Sequence, residues 1–219
     1  LTEGQQTIAA ALTGWKYDFP TNSMPAAFFD VWWTRLEEAI WSEKFPDPKA
    51  YMYPPISRTV RLILEEPDSR HFDQLATPEK ETLADRAWAS FQAAEMDLTV
   101  RLGADHSAWT WGRSRTTRFQ HAGRIPGLGR DAIEAPGHRF SIYANTGKHG
   151  PVWKMVVALG PKPEAWGIYP GGQSGDPASA RYEEFVDRWA RSELRPLRLL
   201  ETAHEPLSGP STTVVLEAM

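Results

Sequence analysis

A chain of 219 residues with 41% hydrophobic and 24% charged side chains has the composition of a folded globular protein, long enough for one or two domains. Its net charge of −4, with Arg113, Arg115 and Arg118 as the one dense basic cluster, excludes the basic face that a nucleic-acid binder needs. No apolar run reaches the about 20 residues that span a bilayer, and the lack of cysteine excludes disulfides and thiolate metal sites.

The first hundred residues read as helical. Asn22-Ser23 is placed to cap a helix over residues 24–41. Phe28, Phe29, Val31, Trp32, Trp33, Leu36, Ile40 and Trp41 spread over most of its circumference, the pattern of a helix buried on several sides. Few neighbouring helices are legible to surround it, so its aromatic faces are expected to pack on chain outside these residues. Pro46, Pro48, Pro54 and Pro55 make an extended connection, and residues 57–65 form a short helix that stops before Pro67. Thr77 is the expected N-cap of the next helix, with Pro78 at its first position and Glu79 and Glu81 in its opening turn. Leu83, Ala87, Phe91, Ala94 and Leu98 recur at helical steps, and Gly103 ends the run.

After Gly103 the texture changes. Strand pieces are expected at residues 108–112 and 117–121, a glycine-rich loop at 123–137, and strands at 139–144, 152–159 and 165–169. Residues 178–192 read as an amphipathic helix with Tyr182, Phe185, Val186 and Trp189 inward, followed by closing strands at 197–200 and 212–216. Helices first and strands later is an α+β order, divided into a helical segment 1–103 and a strand-rich segment 104–219. Ten tryptophans fit an aromatic core and interface. The rival reading is a stand-alone binding module that shows Trp109, Trp111, Trp153 and Trp166 as a row to sugars or aromatic ligands.

Motifs that carry chemistry are sparse. Gly172-Gln173-Ser174-Gly175 invites comparison with the G-x-S-x-G nucleophile elbow but fails at Asp176, leaving a glycine-hinged turn. Gly127-Leu128-Gly129-Arg130-Asp131-Ala132 has dinucleotide-loop spacing without the strand before it or the long helix after it. The histidines, His71, His106, His121, His138, His149 and His204, show neither H-E-x-x-H nor i, i+4 pairing, so no metal site is expected. His149, between Lys148 and Gly150-Pro151, fits a turn rather than a base.

Four landmarks nevertheless stand in a recognisable order. They are Leu12-Thr13-Gly14-Trp15 through Ala26-Ala27 to Trp32-Trp33, then Trp109-Thr110-Trp111-Gly112 with Phe119-Gln120-His121, then His149-Gly150-Pro151, then Gly171-Gly172-Gln173-Ser174-Gly175. This order resembles the penicillin acylase family of N-terminal-nucleophile (Ntn) amidohydrolases. The chain departs from the family pattern at Arg115, Val152, Lys154 and Arg181, and at Glu184-Phe185. Lysine at 154 loses the bidentate fork of the family's arginine.

The resemblance implies an αββα four-layer Ntn-hydrolase sandwich, autocatalytic processing of a precursor into a heterodimer, and hydrolysis of a small-molecule amide of penicillin or acyl-homoserine lactone type. It implies a periplasmic or secreted location. In this family a chain-terminal residue is the nucleophile and its free amine the base. That residue, the oxyanion asparagine and the calcium ligands map outside these residues. No catalytic residue, cofactor or metal is therefore expected on this chain, and its substrate-binding residues stay unassigned. The expected role of His149, Gly150, Gly172, Gln173, Ser174 and Gly175 is structural, and the expected partners are the remaining segments of the same precursor.

Overall fold

The computed structural model describes residues 1–47 and 52–199, which fall into two compact units, one spanning Leu1–Pro151 and one beginning at Val152. The order is α+β, with helices in the N-terminal part and strands towards the C-terminal part. The units divide at 151/152, while the texture change at 103 marks where the long helices end within the first unit.

In the first unit, α1 (Glu3–Thr13) opens with a capping box in which the Thr2 hydroxyl accepts from Gln5 N and the Gln5 side chain accepts from Thr2 N. Helix α2 (Met24–Trp41) begins as its sequence predicts, with Ser23 Oγ accepting from Ala26 N at 3.3 Å. It is the central helix of the unit. Phe28 and Val31 meet Ile8 of α1, Trp109, and Phe91, Ala94 and Leu98 of α4 (Leu83–Leu102). Further along, Leu36, Ile40 and Trp41 close on Leu62 of α3 (Ile56–Glu65) and on Phe72. Trp32 donates its indole N–H to Ala87 O at 2.9 Å, and Trp41 donates to Thr59 Oγ1 at 3.0 Å. The expectation that these aromatic faces need chain from elsewhere is thus corrected for Phe28, Trp32 and Trp41, while Phe29 and Trp33 stay half-buried. Two neighbours with faint sequence signals, the alanine-rich α1 and the irregular segment around Phe72, supply the missing surface.

Three local expectations also change. Helix α4 starts at Leu83 rather than at Pro78, because Thr82 and Asp85 form a reciprocal capping box. Thr77 spends its hydroxyl on Gln74 O and the Glu81 carboxylate, holding a turn instead. The supposed strand at 108–112 is a 3₁₀ turn, His106–Ala108, leading into the short α5 (Trp111–Ser114). Its alternating tryptophans, Trp109 and Trp111, are both fully buried, so neither can belong to an exposed aromatic row. Strand β1 (Thr117–Phe119) pairs antiparallel with β2 (Arg130–Ile133), which rises from the glycine-rich stretch, while residues 139–144 form turns. There the Ser141 hydroxyl accepts from His138 N at 2.8 Å, a local bond that competes with strand pairing.

The second unit is a three-stranded antiparallel sheet in the order β3 (Lys154–Ala158), β4 (Glu164–Ile168), β5 (Arg195–Leu197). Lys154 pairs with Ile168 and Ala158 with Glu164, and Ala165 pairs with Leu197. Its small core comprises Ala165, Ile168, Phe185, Val186, Trp189 and Ala190. The helix expected over 178–192 contracts to α6 (Val186–Ala190). Asp176 Oδ1 accepts from Ala178 N and Ser179 Oγ from Arg181 N, so side chains hold that stretch in turns. Of the closing strands, the one expected at 197–200 is displaced to β5, which shares only Leu197 with it, and 198–199 are not in a strand; Leu200 and the stretch 212–216 lie outside the described residues. Among the described residues no helix is long and apolar enough to cross a membrane.

Candidate functional site

The most strongly organised polar cluster lies in the first unit and was not singled out by its sequence. Asp30 projects from the apolar run of α2 with its side chain only 7% exposed. Arg115, just past α5, places Nη2 3.0 Å from Asp30 Oδ2, and His138 Nε2 lies 3.1 Å from Oδ1. Burial pushes the Asp30 carboxyl up, but the hydrogen bond with His138 and the charge of Arg115 outweigh it and leave the pKa below the ordinary aspartate value. Phe140 N donates to His138 Nδ1 at 3.4 Å, which makes Nε2 the protonated nitrogen that donates to Asp30. Both ring nitrogens are engaged. This histidine is a clamp between carboxylate and backbone, without a free nitrogen to take a proton from a nucleophile.

The segments that carry the cluster are knitted by backbone bonds. Gly137 N donates to Phe19 O, Trp111 N to Ser23 O and Gly112 N to Thr21 O. Phe19 stacks on the His138 ring at 4.6 Å and meets Trp111 edge-on at 4.9 Å. Beside the cluster runs an apolar groove of about 260 Å³, walled by Trp15, Tyr17, Phe29, Trp33, Val60 and Phe140 and floored by Asp30 and His138. Its chemistry is burial of an apolar group, since the two polar groups on its floor satisfy one another. Among the described residues no group of three or more His, Asp or Glu side chains is arranged to hold a metal ion.

The residues expected to be structural landmarks belong to both units. His149 is exposed in a turn in which Thr146 N donates to His149 O and His149 N donates to Thr146 Oγ1. The turn is anchored by buried Asn145, whose amide donates to Ala135 O and accepts from Gly147 N, with Gly147 at φ 76. Gly150 is buried. In the second unit, Gln173 N donates to Arg181 O and Phe185 N to Gly171 O. A methyl group on Gly172 would run into the carbonyl oxygens of Arg181 and Tyr182, so the chain crosses itself there with no room for a side chain. Ser174 Oγ accepts from Asp176 N at 3.1 Å, while Gln173 and Gly175 are exposed.

Comparison with known proteins gives this constellation its context. The sequence model of the penicillin amidase family matches residues 1–205. The chain belongs to this family. The acyl-homoserine lactone acylase QuiP of Pseudomonas aeruginosa is 28% identical over 154 residues, covering 59% of this chain and 18% of that protein. QuiP of Pseudomonas putida is 32% identical over 150 residues, covering 63% of this chain and 18% of that protein. For QuiP of Pseudomonas syringae pv. tomato the identity is 28% over 157 residues, with 65% and 19% covered. The chain thus spans just under a fifth of the length of the curated relatives it matches.

Two of the positions read in the sequence as departures, 115 and 154, make specific contacts. Arg115, half-buried, is the cation of the Asp30 cluster. Lys154 is 4% exposed, donates to Trp189 O at 2.7 Å and Ser192 Oγ at 3.2 Å, and places its ammonium 4.2 Å from the centre of the Trp189 ring. It ties β3 to the C-terminal end of α6, where a cation is electrostatically favoured. Burial nevertheless lowers its pKa to about 8. Both positions stand out in the sequence as departures, and neither reads there as a charge with a fixed partner. For Lys154 the signal was there: it stands between Trp153 and Met155-Val156-Val157, and such a charge must find partners when the run is buried; Arg115, among Ser114, Thr116 and Thr117, carries no such signal.

Proposed function

We propose that these residues form the C-terminal part of a penicillin-acylase-like amidase and support its catalytic centre rather than supply it. In this reading the chain contributes helices and strands to an αββα Ntn-hydrolase sandwich, matured by autocatalytic processing into a periplasmic or secreted heterodimer. The nucleophile and its amine base come from chain outside residues 1–219, as does any calcium site. One observation carries the reading: the family match extends over residues 1–205, while the segments shared with the curated acylases cover only 18–19% of those proteins. The engagement of the local candidates supports it, with Ser174 Oγ turned to the Asp176 backbone and both nitrogens of His138 taken.

The substrate class that the relatives favour is an acyl-homoserine lactone, with a penicillin-type amide as the second. Attack on the amide carbonyl gives an acyl-enzyme and releases the amine; water then releases the carboxylic acid. The role of the 1–219 portion is preorganisation, holding the reacting groups by packing and buried hydrogen bonds. The test is the complete gene product, followed by intact mass and by release of homoserine lactone from octanoyl- and dodecanoyl-homoserine lactone. Two chains are expected, the larger beginning with Ser, Thr or Cys, together with turnover that survives Ser174→Ala. An unprocessed protein that turns over substrate and loses all activity in Ser174→Ala would overturn the reading.

A further inference from the structure

The second unit carries a cleft of about 200 Å³ on one face of its sheet, and strand register explains what lines it. Gly167 of β4 stands directly opposite Arg195 of β5, and Ala165 opposite Leu197. Side chains alternate between the faces of a strand, and opposed residues share a face, so position 167 lies beside Arg195 and Leu197. Glycine inside a strand marks a place where something approaches the backbone closely. Here it is the ring of Trp153, just before β3. A methyl group on Gly167 would stand 2.7 Å from Cη2 and Cζ2 of that indole and 3.0 Å from Leu197 Cδ1. The indole therefore rests on bare backbone and forms one wall of the cleft, while staying 48% exposed. Phe185, 4% exposed, supplies a second ring. Tyr169 meets it edge-on at 5.2 Å, and the Arg195 guanidinium sits 5.0 Å from its centre.

Arg195 makes this more than an apolar hollow. A guanidinium over an aromatic face is held by the ring's quadrupole and keeps its N–H fork for an acceptor. Among the described residues no carboxylate lies within ion-pair distance of it, while Arg188 and Arg191 of the same unit both reach Glu193. Gln173 adds an exposed amide to the lining. That lining contains no Ser, Thr, His, Asp or Glu, so the cleft is equipped to bind and not to react. Its groups define the occupant: a flat apolar body for the indole, and a planar anion for the fork. A carboxylate matches a guanidinium bidentately. A volume below the about 300–1,000 Å³ of clefts for drug-sized ligands limits the body to about one ring. We propose that this cleft is a binding site for a small aromatic carboxylate, with its ring against Trp153 and its carboxylate on Arg195. The proposal concerns the second unit alone and does not rest on the amidase reading.

Photolabelling tests it in the complete gene product. The protein would be irradiated with 4-azidobenzoate and the modified peptides mapped by mass spectrometry. Saturable labelling is expected on Trp153 or Tyr169, suppressed by benzoate. Benzyl alcohol, which has the ring without the charge, and acetate, which has the charge without the ring, should each compete at least about tenfold less well. Arg195→Met should weaken benzoate competition at least about tenfold, the loss of a hydrogen bond between charged groups. Arg195→Lys, which keeps the charge and loses the fork, should fall between.

Crystals of the unsubstituted protein soaked in 4-bromobenzoate guard against a perturbing substitution, since anomalous scattering locates the bromine directly. A peak beside the Trp153 indole is expected. Labelling at these residues that Arg195→Met leaves unchanged, benzyl alcohol competing as well as benzoate, or residues 200–219 filling the cleft would each overturn the proposal. None of these readouts depends on turnover, so an inactive protein that binds benzoate here would fail the amidase reading alone. An active one that does not bind it would fail this proposal alone.

Discussion

Replacing Asp30 with alanine tests whether the buried cluster of Asp30, Arg115 and His138 holds the first unit together. Asp30 is 7% exposed, His138 12% and Arg115 33%, so the pair with His138 is almost wholly withdrawn from water and the pair with Arg115 largely so. Truncation leaves a partly buried guanidinium and a buried imidazole N–H without their acceptor, a loss of about 3–5 kcal/mol for breaking one side of a buried pair. Asp30→Asn keeps the shape and one acceptor oxygen, and its cost should fall to about 1.5–3 kcal/mol, the range of a hydrogen bond to a charged group. Urea unfolding followed by tryptophan fluorescence reads the difference. With a slope of about 2 kcal/mol per molar, the alanine variant should unfold roughly 1.5–2.5 M earlier. The pH dependence follows from the depressed pKa of Asp30: its stabilisation is present above the unfolded aspartate pKa and is lost as pH falls through the lower folded value. The gap between wild type and Asp30→Ala should therefore shrink below about pH 4. An alanine variant within about 0.5 kcal/mol of wild type at pH 7, the scatter of an ordinary surface change, would refute the reasoning.

Other perturbations probe the rest of the fold. Lys154 has its folded pKa lowered to about 8, so the folded state binds fewer protons than the unfolded chain between there and the ordinary lysine value. Stability of the second unit should rise with pH across that window, by up to about 1.4 kcal/mol per pH unit. Protection of the 186–192 amides, corrected for intrinsic exchange, should follow that rise in wild type and not in Lys154→Met. Gly172→Ala drives a methyl into the Arg181 and Tyr182 carbonyls, which are backbone and cannot swing aside. A loss of about 1–3 kcal/mol is expected, and an unchanged melting temperature of the second unit would contradict it. Thr82→Ala should cost about 1 kcal/mol as the loss of an N-cap. Helical chemical shifts that begin at Pro78 instead of Leu83 would show that the capping assignment is wrong.

Periodicity made the long helices legible, because each writes its partners into its own sequence. The run from Leu83 to Leu98 and the cap at Ser23 are local statements, and the structure repeats them. Competition between two local signals is harder to read. Thr77-Pro78 and Thr82-x-x-Asp85 are both good starts, and the choice falls to Thr82 because Glu81 and Gln74 occupy Thr77. The alternation around Trp109 and Trp111 looks extended in one dimension. It becomes a 3₁₀ turn and a helix because Trp109 donates its indole N–H to Gly103 O while both rings are buried.

The Asp30 cluster illustrates the deeper limit. Its members come from positions 30, 115 and 138, and no spacing rule links them. What can be read is one half of the relation: a carboxylate between Phe29 and Val31 in a helix apolar on several sides cannot remain unpartnered. The same holds for Lys154 ahead of Met-Val-Val, whose partners at Trp189 and Ser192 lie beyond an intervening strand. A charge inside an apolar run fixes that a buried pair exists, and the fold decides with whom.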